Sequence, residues 1–270
     1  MTGNYRIVLV LDGGEHSLSI PVLGLNHIAE QHALFINDSK VFNWIDVAVG
    51  SGNATLLTAL IAQNKSDLTK TVASLEHQIF TENKTIAGLL ASYFQDETLL
   101  MDLKKHFSFV CLDKQMDEPY FFSSTRPTIT NASLNTVLKA CVNDITLNQN
   151  ANWGNKQLAY ASLQMRNPIF HAANLANCLY HDESLIFLSI GSGLSTTPTE
   201  EQLFVEQQHE QFQNDVKLHK NWHYFRFNPI IENDYTKDQL ISVVQHYFET
   251  EISVMERLMR LMEMKSGRIL

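Results

Sequence analysis

The chain has 270 residues, 44% of them hydrophobic, and sets 20 lysines and arginines against 29 aspartates and glutamates for a net charge of -9. That is enough apolar sequence for one sizeable core, and no low-complexity stretch divides it, so a single domain over residues 1–270 is expected. The acidic balance excludes the phosphate-neutralising footprint of a nucleic-acid binder.

Cys111, Cys141 and Cys178 form no C-x-x-C pair and read as buried thiols of a reducing compartment. No apolar run approaches the roughly 18 residues of a membrane span. The opening MTGNYRIVLVLDGG has no signal-peptide cleavage site. The expected location is the cytoplasm, or an export route without a cleaved signal.

Arg6 to Leu11 reads as a strand that ends in Asp12-Gly13-Gly14. Ile20, Leu23, His27 and Ile28 then recur at helical spacing, with Pro21 in the first turn, where its missing N–H costs little. The plan repeats at Trp44 to Val49, a second apolar strand broken by Gly50-Ser51-Gly52. Leu56, Leu57, Leu60 and Ile61 follow on one helical face. Strand, glycine turn and helix, twice over, predict a mostly parallel sheet flanked by helices.

The second turn places backbone N–H groups at a helix N-terminus, where anions and oxyanions are stabilised. Three site families use such a turn. The nucleophile elbow G-x-S-x-G would put its serine at Gly52, which has no side chain. The nucleotide turn G-x-G-x-x-G finds two of three glycines in Gly50-Ser51-Gly52-Asn53-Ala54-Thr55. Asp46 to Gly52 also resembles the D-x-G-x-G-x-G of S-adenosylmethionine-dependent methyltransferases. The P-loop needs Gly-Lys-Ser/Thr, which is absent here.

Downstream, Val72, Leu75, Ile79 and Ile86, Leu89, Leu90, Phe94 keep helical spacing without a chemical motif. Phe107 to Leu112 and Tyr120 to Phe122 read as strands around the polar turn Asp113 to Pro119. Leu134 to Val142 is a helix, Asn148 to Lys156 a polar loop, and Ser184 to Ile190 and Asn221 to Phe227 are strands. Capping boxes at Thr197 to Glu200 and Thr236 to Gln239 predict helix starts. The second helix is expected to run unbroken over about 236–264, with an apolar stripe from Leu240 to Met262.

His219 and His223 are four apart, but Trp222 to Phe227 reads as a strand and the pattern lacks the glutamate of H-E-x-x-H. No metal or other cofactor is expected. Met255, Met259, Met262 and Met264 read as core. The alternative is an adaptable partner or lipid surface, which Arg257, Arg260, Lys265 and Arg268 would bring to anionic membranes.

Several blocks, in order, resemble one family. Asp12-Gly13-Gly14-Glu15-His16-Ser17-Leu18-Ser19-Ile20-Pro21 is similar to the D-G-G-G-x-R-G-x-x-P opening of patatin-like phospholipases, and Asp46 to Ala59 to their nucleophile block. Phe109 to Ser123 and Leu134 to Val142 match the middle strands and helix, Leu163 to Pro168 the segment after the catalytic aspartate, and Leu188 to Gly193 the late glycine turn.

The resemblance implies an α/β three-layer sandwich, with a central mixed sheet between helices, and a Ser-Asp dyad that hydrolyses lipid acyl esters. It carries the nucleophile onto Gly52 and the aspartate onto Tyr160, followed by Ala161 and Ser162 where the family has glycines. The oxyanion loop keeps Gly13 and Gly14 but has Glu15 and Ser17 at its third glycine and its arginine. A side chain without a nucleophile forms no acyl-enzyme, and a glutamate in an oxyanion loop opposes the developing charge.

The expectation is therefore a pseudoenzyme that binds a lipid, a fatty acyl chain, a protein partner or its own copy. Its pocket would be lined by Gly13, Gly14, Glu15, Gly50 and Asn53, and peripheral membrane contact is open to it. One alternative is residual lipid acyl hydrolysis by Ser51 with His16 as base; another is the methyltransferase.

Overall fold

The structure is a computed structural model that describes residues 4–13, 18–36, 41–64, 67–68, 70–74, 90, 93–94, 98–129, 131–142, 151–161, 167–232 and 235–265. Strand β1 (Tyr5–Leu11) leads into helix α1 (Ser19–Ile36), the short α2 (Val41–Trp44), strand β2 (Val47–Ser51) and helix α3 (Ala54–Ala62). Next come β3 (His106–Asp113), β4 (Glu118–Ser123), α4 (Leu134–Cys141), β5 (Ala151–Trp153) and β6 (Lys156–Tyr160). The last third runs α5 (Ile169–Tyr180), β7 (Ser184–Ile190), β8 (Leu194–Ser195), α6 (Glu200–Val216), β9 (Trp222–Phe227), β10 (Ile230–Ile231), α7 (Lys237–Thr250) and α8 (Ile252–Lys265).

Hydrogen-bonded neighbours in the main sheet follow the path β5-β6-β3-β2-β1-β7-β9, with β4 also on β3; β8 and β10 make a separate two-stranded sheet. From β3 through β2, β1 and β7 to β9 every pairing is parallel, while β4 and β6 run antiparallel to β3. Both faces are covered. Ile7, Leu9 and Leu11 of β1 belong to the larger core with α1, α3, α4, α7 and α8. Val8 and Val10 point the other way, toward Ala172, Ala173 and Ala176 of α5 and Phe212 of α6. This period-2 division of an all-apolar strand is what a sheet buried on both sides requires. The result is the α/β sandwich, with a mostly parallel mixed sheet between helical layers, that the resemblance implies.

Several local expectations are corrected. Trp44 ends helix α2 rather than opening a strand, and β2 carries on through Gly50 to Ser51, leaving Gly52 and Asn53 as the turn. Helix α3 is buried on every side, not on one face, because it fills the space between the sheet and its neighbouring helices. Part of the expected polar loop is a hairpin: β5 pairs antiparallel with β6 around Gly154, which takes φ +61°.

Helix α6 is capped by Thr199 with Gln202, two residues later than the expected frame, whereas Thr236 with Gln239 caps α7 as read. The long C-terminal helix is two helices that meet at Glu251, with Ile252 on the surface. Cys111 and Cys141 are buried, but Cys178 is exposed on α5. Val72, Leu90 and Phe94 are buried; Leu75, Ile79, Ile86 and Leu89 lie outside the described residues.

Candidate functional site

The geometry of the strand–helix turn follows from how β3 shares its edges. β4 pairs with Ser108 to Asp113 along one edge, so both β2 and β6 must lie on the other. Along that edge Val110 pairs with Ser51, and the next residue, Cys111, pairs with Tyr160. The last residue of β6 is thereby delivered to the end of β2. Lys156, at the start of β6, forms an ion pair with the buried Asp113 and holds the short strand in register.

Gly52 turns the chain from β2 into α3 with φ +54°, the left-handed region that side chains resist. A Cβ on Gly52 would lie 2.9 Å from Tyr160 Cε2, 3.0 Å from its hydroxyl oxygen and 3.1 Å from Gly13 Cα. The structure thus brings together Gly13, Gly52 and Tyr160. Gly13 has its own constraint, since a Cβ there would fall 2.7 Å from the Ser51 carbonyl oxygen. Backbone of the first loop therefore lies directly against backbone of the second.

Gly50 faces the inner side of the turn, packed on Thr58 of α3. Ser51 is wholly buried as the last residue of β2. Asn53 stands at the head of α3 without capping it, and its Oδ1 has no hydrogen-bond partner among the described residues. The Thr55 hydroxyl instead donates to the Gly52 carbonyl at 2.6 Å. Gly14, Glu15, His16, Ser17 and Ser162 lie outside the described residues.

Beside this turn is a buried polar network that motif reading missed. β1 is flanked by β2, its successor in the sheet, and on its other side by β7, so the carboxyl ends of β1 and β7 mark a topological switch point, where open α/β sheets place ligands. Asp12 stands at that point. Its Oδ2 is 2.6 Å from Arg226 Nη1, and Arg226 Nη2 reaches Glu206 at 2.7 Å. Burial opposes ionisation of Asp12, but Arg226 and then His209 outweigh it and hold the carboxyl below its ordinary range.

His209 is also buried, and its imidazole is pushed down by burial and then by Arg226, against the pull of Asp12. Its Nε2 lies 2.8 Å from Asn167 Nδ2 and 3.2 Å from Asp12 Oδ2, and its Nδ1 faces the Tyr224 hydroxyl. Asn167 Oδ1 accepts the Ile169 N–H at 3.0 Å. The signal for this network in sequence is slight: one arginine in the aromatic strand WHYFRF, on the face opposite Phe225 and Phe227. A buried guanidinium demands a carboxylate, but nothing local names Asp12, more than two hundred residues earlier.

His219 stacks on Trp222 with centroids 3.9 Å apart and His223 lies in β9, 6.1 Å from the Tyr5 ring. Among the described residues no group of three His, Cys, Asp or Glu is placed to hold a metal ion. No helix of the described residues is long and apolar enough to cross a membrane.

No protein-family model matches the chain, and no curated protein matches it. Among solved structures the chain is similar to the crystal structure of VipD from Legionella pneumophila, with 9% identity over 95% of this chain and 67% of that one, at a TM-score of 0.39.

Proposed function

We propose that this is a non-catalytic protein with a patatin-like frame, which acts by binding a protein partner or a lipid acyl chain rather than by cleaving esters. The observation that carries the reading is the meeting of Gly52 with Tyr160. At the apex of the strand–helix turn, where an acyl hydrolase holds its nucleophile, stands a glycine, and a phenol ring fills the space its side chain would take. Ser51, the other hydroxyl at the turn, is a fully buried residue of the β2–β3 ladder.

The test is covalent. Purified protein treated with a fluorophosphonate probe and analysed by intact mass spectrometry is expected to remain unmodified, and p-nitrophenyl butyrate hydrolysis to match a heat-denatured control. An adduct or esterase activity that disappears in Ser51→Ala would overturn the proposal in favour of residual hydrolysis. Thermal stabilisation by S-adenosylhomocysteine would overturn it in favour of the methyltransferase.

A further inference from the structure

On the face of the molecule formed by α1, α7 and α8 a cleft of about 540 Å³ opens between helices. Its floor is apolar and helical in period. Ile252, Met255 and Met259 stand at i, i+3 and i+7 of α8, beside Phe248 of α7, whose ring stacks on His27 of α1 with centroids 4.6 Å apart. Phe248, Met255 and Met259 are buried, but Ile252 is 58% exposed at the floor of an open cleft.

The rim is acidic. Glu256 and Glu263 stand seven residues, two helical turns, apart on α8, and Glu249 lines the same cleft from the end of α7. Glu30 on α1, like Glu249, acts electrostatically on His27. Among the described residues Arg260 is the single arginine or lysine lining the cleft. Burial pushes His27 below its ordinary range, so it adds no cation at neutral pH. Of the other basic residues assigned to this segment, Arg257 lies over the Phe225 ring at 5.4 Å and Lys265 is paired with Asp46, while Arg268 lies outside the described residues.

We infer that this cleft docks an amphipathic helix of another protein, one whose apolar stripe is flanked by lysines or arginines. A hydrophobic groove between helices takes an amphipathic helix laid along it, and methionine side chains adapt to the apolar anchors that enter. The charge of the rim selects the occupant: carboxylates attract a basic helix and repel both a fatty acid headgroup and an anionic bilayer. The inference goes beyond the non-catalytic reading and does not need it, since none of these residues belongs to the Gly52 turn.

The test uses fluorescence anisotropy with a dye-labelled Leu/Lys peptide of about 18 residues, its leucines at i, i+3, i+4 and i+7. Saturable binding is expected, absent for the Leu/Glu counterpart and for a scrambled Leu/Lys peptide of the same composition. The exposed-site variants Glu249→Lys/Glu256→Lys and Ile252→Asp should each weaken it at least about tenfold while keeping the wild-type melting curve.

Equal binding of the scrambled peptide, or unchanged binding by both variants, overturns the inference. So does displacement of the peptide by a fluorescent fatty acid, which would make the cleft an acyl site. A dimer of the protein alone that Ile252→Asp dissolves would assign the cleft to a second copy and overturn it too. An adduct at Ser51 in the fluorophosphonate experiment would leave it untouched.

Discussion

At Gly52 two independent constraints meet, and they can be separated. The left-handed φ of +54° disfavours any side chain, by about 1–2 kcal/mol. The Tyr160 ring, 2.9 Å from where a Cβ would sit, adds overpacking of about 1–3 kcal/mol. Gly52→Ala is therefore expected to destabilise by about 2–5 kcal/mol in urea unfolding. In a Tyr160→Ala background the ring contact is gone, and the same change should cost less by about 1–3 kcal/mol, leaving the backbone part and the Gly13 Cα at 3.1 Å. Additive costs would mean that the two residues do not touch. The ordered motif blocks single out both positions by their spacing. What the motifs could not carry was the direct contact between the two, which depends on two strands sharing one edge of β3.

Elements were easiest to read where the local chemistry is unambiguous. Ser184 to Ile190 is a run buried on both sheet faces, and Thr236 with Gln239 is a complete capping box. Before α6 the structure uses a capping frame two residues later than Thr197 to Glu200. The Thr199 hydroxyl accepts from the Gln202 N–H at 3.3 Å, and Gln202 Oε1 accepts from the Thr199 N–H at 3.1 Å. Thr197 is exposed, and its own N–H donates to Ser195 Oγ. Thr199→Ala should then cost about 1 kcal/mol in thermal or urea unfolding, and Thr197→Ala close to nothing; the reverse order would restore the earlier frame. The stop between α7 and α8 escaped notice for a different reason. An apolar stripe continues through Glu251 with helical spacing, so periodicity alone cannot show that the axis breaks. The hairpin of β5 and β6 was hidden because its strands are short and Leu158 alone of their residues is buried, too little for a period-2 pattern to show.

For the whole molecule, the layered α/β architecture was legible because alternation and glycine turns are local signals that sum to a topology. Buried electrostatics were not, because each pair joins distant segments: Asp12 to Arg226, Asp46 to Lys265, Ser108 to His171. Those pairs set how the fold responds to acid. His171 stacks on Phe121 at 3.8 Å and bonds Ser108 Oγ at 2.9 Å, and burial pushes its imidazole down to about 4. His27, His106, His209 and His223 are lowered as well, again chiefly by burial. An unfolded histidine titrates near about 6.5, so between there and about 4 the unfolded chain binds more protons than the native one. Stability is full above that window and falls as pH drops through it. Asp12, with its carboxyl depressed, adds a further loss at lower pH, below its unfolded value of about 3.9. The stability of His171→Gln, which keeps a bond to Ser108, should accordingly depend less steeply on pH between about 6.5 and 4, by up to about one proton. At pH 8 it should be the less stable protein by about 1 kcal/mol, having lost the stack on Phe121. The two curves are expected to cross at about pH 6 in urea titrations, with the variant the more stable protein below it. Parallel curves across that range would show that His171 is protonated in the native protein as easily as in the unfolded chain.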